Sequence, residues 1–277
     1  MEMDLRIDSS VKLNNGVEMP LLGFGTWKLK GKSVLKPITW ALEEGFRHID
    51  TAKLYGNEKY IGKALKISEI PREELFITSK VWDTDQGFEK TQKAFNKSLE
   101  KLNLEYLDLY LIHWPRELRN ETWRALEKIY KEEKVKAIGV ANFWIHHLKE
   151  LLERFEIVPA VNQIELHPFV YEEDKELIEF CEKNNIQIEA YSPLMHGKKL
   201  DYPLLHTIAE KYNKSTVQIL IRWSLQHEYV CIPKSGNKEH IKENANVFDF
   251  ALSEEDMEKI DSIDEKFRNL YDTSTWD

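Results

Sequence analysis

The chain predicts a closed (β/α)8 barrel of the TIM type with an N-terminal β-hairpin, and three observations carry that prediction. Short apolar runs alternate with longer amphipathic ones along all 277 residues, the pattern of βα units. Eight such runs are present, near 21–24, 46–50, 75–79, 106–112, 136–140, 160–164, 186–190 and 229–232. No linker, low-complexity tract or internal repeat divides them, so residues 1–277 read as a single barrel domain.

Taken in order, the hairpin is expected from Leu5–Ile7 and Val11–Leu13, with Asn14-Asn15-Gly16 beyond it. The first helix carries Val34, Ile38, Ala41 and Leu42 at helical spacing and should stop at Gly45; Pro37 moves its start one turn past Ser33. Further apolar stripes are Ala94, Phe95, Ser98, Leu99 and Leu102, then Ile145, Leu148, Leu152 and Phe155. Asn57 and Ser253 stand where N-caps belong.

Composition narrows the function classes. The formal net charge is -9, and Lys and Arg are interleaved with Glu and Asp, so no nucleic-acid partner is expected. The N-terminal MEMDLRIDSS has charges where a signal peptide needs an apolar core, and no run approaches the length of a bilayer span. A soluble, cytoplasmic protein without a membrane partner is the expectation. Cys181 and Cys231 lie far apart in apolar segments, which suits buried thiols rather than a disulfide. No long uncovered apolar stripe calls for a partner subunit, so a monomer is expected.

Catalytic groups of such barrels gather at the C-terminal ends of the strands. Here the second strand delivers Asp50 and, in its loop, Tyr55; the third delivers Lys80 and Trp82; the fourth, His113 and Trp114. A phenol gives up its proton reluctantly near neutrality. An ammonium about 4 Å away, at an effective dielectric of about 20, favours the phenolate by roughly 4 kcal/mol before screening. Lys80 is therefore expected to make Tyr55 a general acid, with Asp50 holding Lys80 charged and His113 donating to a carbonyl oxygen. The set suits protonating an oxygen as a carbonyl is reduced, and since no side chain supplies hydride, a cofactor is implied. Tyr191 offers a flat face for a nicotinamide, Asn142 and Gln163 offer amides for its carboxamide, and Lys234 and Ser235 suit phosphate.

Plainer readings exist for each residue alone: Asp50 as a strand cap or ion pair, Tyr55 and His113 as packing residues, Lys80 as solvated. Their convergence at successive strand ends favours chemistry. No metal site is expected, since neither His146-His147 nor Glu165-Leu-His167 has a complete ligand set. Gly23-Phe24-Gly25 lacks the third glycine of a dinucleotide fingerprint and reads as a tight βα turn.

The segments GFGTW, RHIDTAKLYGNE, ITSKVW, LYLIHWP, NQIELHP, AYSPL and IPKS occur in that order, and with them the chain resembles the aldo-keto reductase family along nearly its whole length. The resemblance implies reduction of aldehydes and ketones with NADPH and a catalytic tetrad of Asp50, Tyr55, Lys80 and His113. It implies cofactor contacts at Gly25, Thr26, Asp50, Asn142, Gln163, Tyr191, Ser192, Leu194, Lys234, Ser235, His240, Glu243 and Asn244. Substrate contacts fall on Trp27, Tyr55, Trp82, His113 and Trp114.

The chain departs from the family pattern in three places. His240 stands where the family commonly has an arginine, so NADPH preference should be softened and NADH used measurably. Ala141 replaces a frequent serine, removing one hydrogen bond to the carboxamide. The segment after Trp114 and the tail after Phe267 are short. An open mouth with broad substrates is expected from them, among them reactive aldehydes, 2-oxoaldehydes and keto sugars. Two rival readings remain: a Schiff-base lyase working through Lys80 or Lys234, and a catalytically weak cofactor-binding module.

Overall fold

A computed structural model describes residues 4–276. Two short strands, β1 (Ser10–Lys12) and β2 (Glu18–Pro20), pair antiparallel with Val11 opposite Met19. The hairpin is there but displaced from its expected place. Leu5–Ile7 is not strand, and Asn14-Asn15-Gly16 forms the hairpin turn instead of following it. The reason is local: Gly16 takes a φ of +87°, which closes Leu13 N–H onto Val17 O at 2.9 Å.

Eight parallel strands follow: β3 (Gly23–Gly25), β4 (His48–Asp50), β5 (Phe76–Val81), β6 (Leu107–Ile112), β7 (Val135–Ala141), β8 (Val161–Glu165), β9 (Gln187–Tyr191) and β10 (Val230–Cys231). Each neighbours the next in sequence order. A parallel bridge between Leu22 and Cys231 closes the ring, with Cys231 N–H on Leu21 O at 2.8 Å. The expected barrel is therefore present. Every position of β6 is buried, as a parallel strand covered on both faces requires. At Gly23 a Cβ would lie 2.4 Å from His48 Nδ1, so only glycine leaves room for that imidazole in the barrel interior.

The helices dock as their stripes predict, with two adjustments. The first helix, Leu35–Glu43, follows a 3-10 turn at Gly31–Val34 and buries Ile38, Ala41 and Leu42; Pro37 sits in its first turn, where no intrahelical N–H is lost. Gly45 ends it at a φ of +97°. In the helix Ile145–Arg154 the buried residues are His147, Leu148 and Leu151, while Ile145 and Leu152 are half-buried, so the stripe is rotated from the expected one. Ser253 caps as expected, accepting from Asp256 N–H at 3.3 Å. Asn57 does not cap with its side chain. It is buried, accepts from Thr51 Oγ1 at 2.7 Å and donates to Thr26 O and Leu29 O, tying the first two strand-end loops together. Both cysteines are free and buried.

Candidate active site

The C-terminal ends of the strands surround a cavity of about 500 Å³. β4 ends on Asp50, and the 3-10 turn Lys53–Tyr55 brings Tyr55 back over the same rim. Lys80 Nζ donates to Asp50 Oδ2 at 2.6 Å and to Thr51 O at 3.0 Å. Both partners are almost wholly withdrawn from water, Lys80 at 0% and Asp50 at 2% exposure. The rings of Tyr55 and His113 meet edge to face at 5.9 Å, and Trp82 packs edge-on to His113 at 5.2 Å. The four residues expected to act together are together.

Their electrostatics correct one expectation. Lys80 directs its donors at Asp50 and Thr51, and its Nζ lies 5.3 Å from the centre of the Tyr55 ring. The Tyr55 phenol is not drawn towards ionisation: burial, then the charges of Asp50 and Glu189, hold its pKa well above the usual tyrosine range. The half-buried Tyr55 thus keeps its proton. Burial first, then Lys80, holds His113 well below the usual histidine range, so its imidazole is neutral and retains one N–H to donate. Lys80 is also poorly placed for a Schiff base, since its amine is fully buried and held by Asp50 and Thr51.

Around the rest of the cavity stand Gly25, Thr26, Trp27, Trp82, Trp114, Asn142, Gln163, Tyr191, Ser192, Leu194 and Lys234. Thr26 is fully buried and donates to Asp50 O at 2.8 Å, bracing the end of β4. Tyr191 OH donates to Asn142 Oδ1 at 2.7 Å, and Asn142 Nδ2 donates to His113 O at 2.9 Å. Gln163 Nε2 donates to Asp50 Oδ2 at 3.0 Å. Both amides are therefore held in place by the protein itself.

Ser235, His240, Glu243 and Asn244 do not line this cavity. They lie beyond Lys234, on the loop and on the helix Lys238–Ala245, whose N-cap Asn237 accepts from Glu239 and His240 N–H. Ser235 Oγ accepts from Asn237 N–H at 3.1 Å. His240 is exposed and Asn244 buried. Lys238, a second candidate for phosphate, pairs instead with Glu43 at 3.7 Å. Lys28, which sequence reasoning passed over, faces the cavity with Lys234; burial, then Lys28, lowers the Lys234 pKa. Two ammonium groups thus face the same end of the cleft, which suits an anion.

The tail is the other omission. Short as it is, it forms part of the wall of the mouth: Trp276 lies 5.4 Å and Tyr271 6.1 Å from Trp114, ring to ring, and Leu270 and Tyr271 line the cavity. Buried Glu165 holds it there, accepting from Asn269 N–H at 2.7 Å and Leu270 N–H at 2.9 Å. Burial raises the Glu165 pKa, but bonds from His167 and the tail outweigh it and keep the carboxyl below its usual range. Thr273 Oγ1 bonds Asn142 O at 2.7 Å, and the rings of His146 and His147 both reach Trp276 O. Among the described residues no group of three or more His, Cys, Asp or Glu side chains is arranged to hold a metal, and no helix is long and apolar enough to cross a membrane.

Glu165→Gln is expected to loosen this tail. Losing charge-assisted bonds of about 1.5–3 kcal/mol each should speed hydrogen exchange at the Asn269 and Leu270 amides by about tenfold or more. Unchanged exchange at those amides would mean that other contacts hold the segment.

Comparison with known proteins identifies what the site belongs to. The profile of the aldo/keto reductase family matches residues 21–265. Glyoxal reductase of Bacillus subtilis (strain 168) is 53% identical over 268 residues, covering 96% of this chain and 96% of the relative. An aldo-keto reductase from a Medee basin deep-sea metagenome superposes with a TM-score of 0.93 at 49% identity, covering 97% of this chain and all 100% of the other. A Bombyx mori aldo-keto reductase solved in complex with NADP superposes with a TM-score of 0.90 at 31% identity, covering 97% and 96%. With the fold, the strand-end residues and these matches in agreement, the chain is an oxidoreductase of the aldo/keto reductase family.

Proposed function

We propose that the chain reduces small reactive aldehydes and 2-oxoaldehydes, and by extension keto sugars, to alcohols with NADPH, and that Tyr55 is the proton donor. The observation that carries this reading is the joint placement of Tyr55 and neutral His113 above the buried Lys80–Asp50 pair. The glyoxal reductase named among the relatives supports the substrate class, and the relative solved with NADP supports the cofactor. We take residues 1–277 as one domain, since all eight barrel strands serve the same mouth.

The residues present fit a nicotinamide dinucleotide. Tyr191 supplies the flat wall, Asn142 and Gln163 the amides, and Gly25, Thr26, Ser192 and Leu194 the walls of the cleft. Lys28 and Lys234 supply the positive charge that a diphosphate needs. Ser235, His240, Glu243 and Asn244 continue the line towards the adenosine end. NADPH, when bound, supplies the hydride.

The chain's own groups do the rest. Trp27, Trp82 and Trp114 form an apolar wall that excludes water from the reacting carbonyl. His113 donates its N–H to the carbonyl oxygen and orients it, and Tyr55 passes its phenolic proton to that oxygen as negative charge develops there. Asp50 holds the Lys80 ammonium in place, and the ammonium stabilises the phenolate that remains. The high proton affinity of Tyr55 in the free chain means that it enters the reaction as phenol, the form a reduction needs.

His240 sets the balance between the two nicotinamide cofactors in this reading. His240→Arg should raise the ratio of kcat/KM for NADPH over NADH by about tenfold, the effect of one permanently charged contact worth about 1.4 kcal/mol. An unchanged ratio would remove position 240 from 2'-phosphate recognition.

Methylglyoxal reduction followed at the NADPH absorbance band tests the whole reading. Borohydride trapping of substrate without nicotinamide would favour a lyase working through Lys234 instead.

A further inference from the structure

A second acid lies inside the barrel that the proposed chemistry does not use. Glu189 is the middle residue of β9, paired with Gln163 on β8 and Val230 on β10. It stands two residues before Tyr191 and so deeper in the barrel on the same face of the strand. It is completely buried, and neither of its carboxyl oxygens has a hydrogen-bond partner. His48 Nε2 is 3.5 Å from Oε1 and directed at Thr78 Oγ1, 3.1 Å away. The Gln163 amide donates to Asp50 and reaches Glu189 only outside bonding geometry.

An ionised carboxylate so placed would lose its hydration with almost nothing in return, whereas the un-ionised acid loses far less. The charged and titratable groups that face it are His48 and Asp50 from β4, Lys80 from β5 and Tyr55 from the loop after β4. His48 offers no compensating charge, because burial and then Lys80 push its pKa down to about 3. Lys80 is already paired with Asp50. Burial, then the Asp50 charge, accordingly pushes the Glu189 carboxyl up to about 8, against the opposing pull of Lys80 and Gln163.

We propose that Glu189 is a positioning residue that stands as an un-ionised carboxylic acid at neutral pH and, through the charge it takes on as the pH rises, sets how far into the alkaline range Tyr55 keeps its proton. The proposal rests on the reading of Tyr55 as proton donor. With Glu189 neutral, this part of the interior holds one carboxylate against one ammonium. Once Glu189 ionises, a second negative charge opposes the phenolate, so Tyr55 keeps its proton to higher pH than it would without that charge.

The test compares wild type with Glu189→Gln and Glu189→Leu. In both variants the alkaline limb of kcat/KM for NADPH-dependent methylglyoxal reduction is expected to move down by about one pH unit, the shift that a unit charge at roughly 10 Å produces at an effective dielectric of about 20. Infrared difference spectra at pH 7 should show the carbonyl stretch of a protonated carboxyl in wild type that Glu189→Gln lacks. Superposable alkaline limbs in folded variants, or no such band, would overturn the proposal. Should one variant fail to fold, the other carries the test, since replacing buried polar groups by apolar ones of similar volume is commonly tolerated. If wild-type turnover does not depend on Tyr55, the coupling falls with the Tyr55 reading, while the infrared band still decides whether Glu189 holds a proton.

Discussion

Tyr55→Phe is expected to lower kcat for NADPH-dependent carbonyl reduction by about 10²–10⁴-fold, the usual contribution of a positioned general acid, while NADPH affinity stays within about twofold. The substitution removes one oxygen and keeps the ring that meets His113 edge to face at 5.9 Å. Packing should therefore survive and only proton transfer should fail. Cofactor binding by fluorescence titration and single-turnover reduction separate the two. A variant that turns over at the wild-type rate would take the proton-donor role from Tyr55 and pass it to His113, whose neutral imidazole lies at the same rim.

The second large effect is on stability. Lys80→Met should destabilise the fold by about 3–5 kcal/mol, because removing one partner of a buried ion pair leaves the other charge uncompensated. Asp50, 2% exposed, would keep only the Gln163 amide at 3.0 Å as a side-chain donor. Urea unfolding should show a lower midpoint at an unchanged slope. Adding Asp50→Asn should restore much of the loss while leaving turnover abolished. This pattern separates two roles of the pair: the net effect of the intact couple on stability is small, whereas its effect on the proton of Tyr55 is specific. If the single variant unfolds at the wild-type midpoint, Asp50 is not the charged partner that the 2.6 Å contact implies.

The strands β4, β5 and β6 bring Asp50, Lys80 and His113 to one rim, and the turn after β4 brings Tyr55 there. The proposed catalytic groups thus stand at or next to the strand ends, where the packed interior gives way to the cavity. Glu189 breaks that division. It puts a carboxyl deep in the barrel interior, and Gly23 makes room beside it for His48. Buried groups of this kind persist where they adjust a neighbour's protonation as well as where they fix structure.

The amino-acid order alone determined the barrel, since eight apolar runs separated by amphipathic stripes admit few other closed packings. It also determined which strands end in an acid, a lysine and a histidine, because a residue's place at a strand end is local information. The hairpin register escaped it, as the glycine that closes the turn at Gly16 also reads as a breaker beyond a finished hairpin. Three features were decided by tertiary structure. The tail walls the cleft because Glu165, more than a hundred residues earlier, gathers its amides. Asn57 braces two loops because the ends of β3 and β4 meet over it. Tyr55 holds its proton because burial, and then the carboxyl groups of Asp50 and Glu189, raise its proton affinity, while Lys80 turns its donors to Asp50 and Thr51. In each case the deciding quantity is the distance between residues far apart in the chain, and the free energy of a charge depends on everything within reach of it, which sequence spacing does not specify.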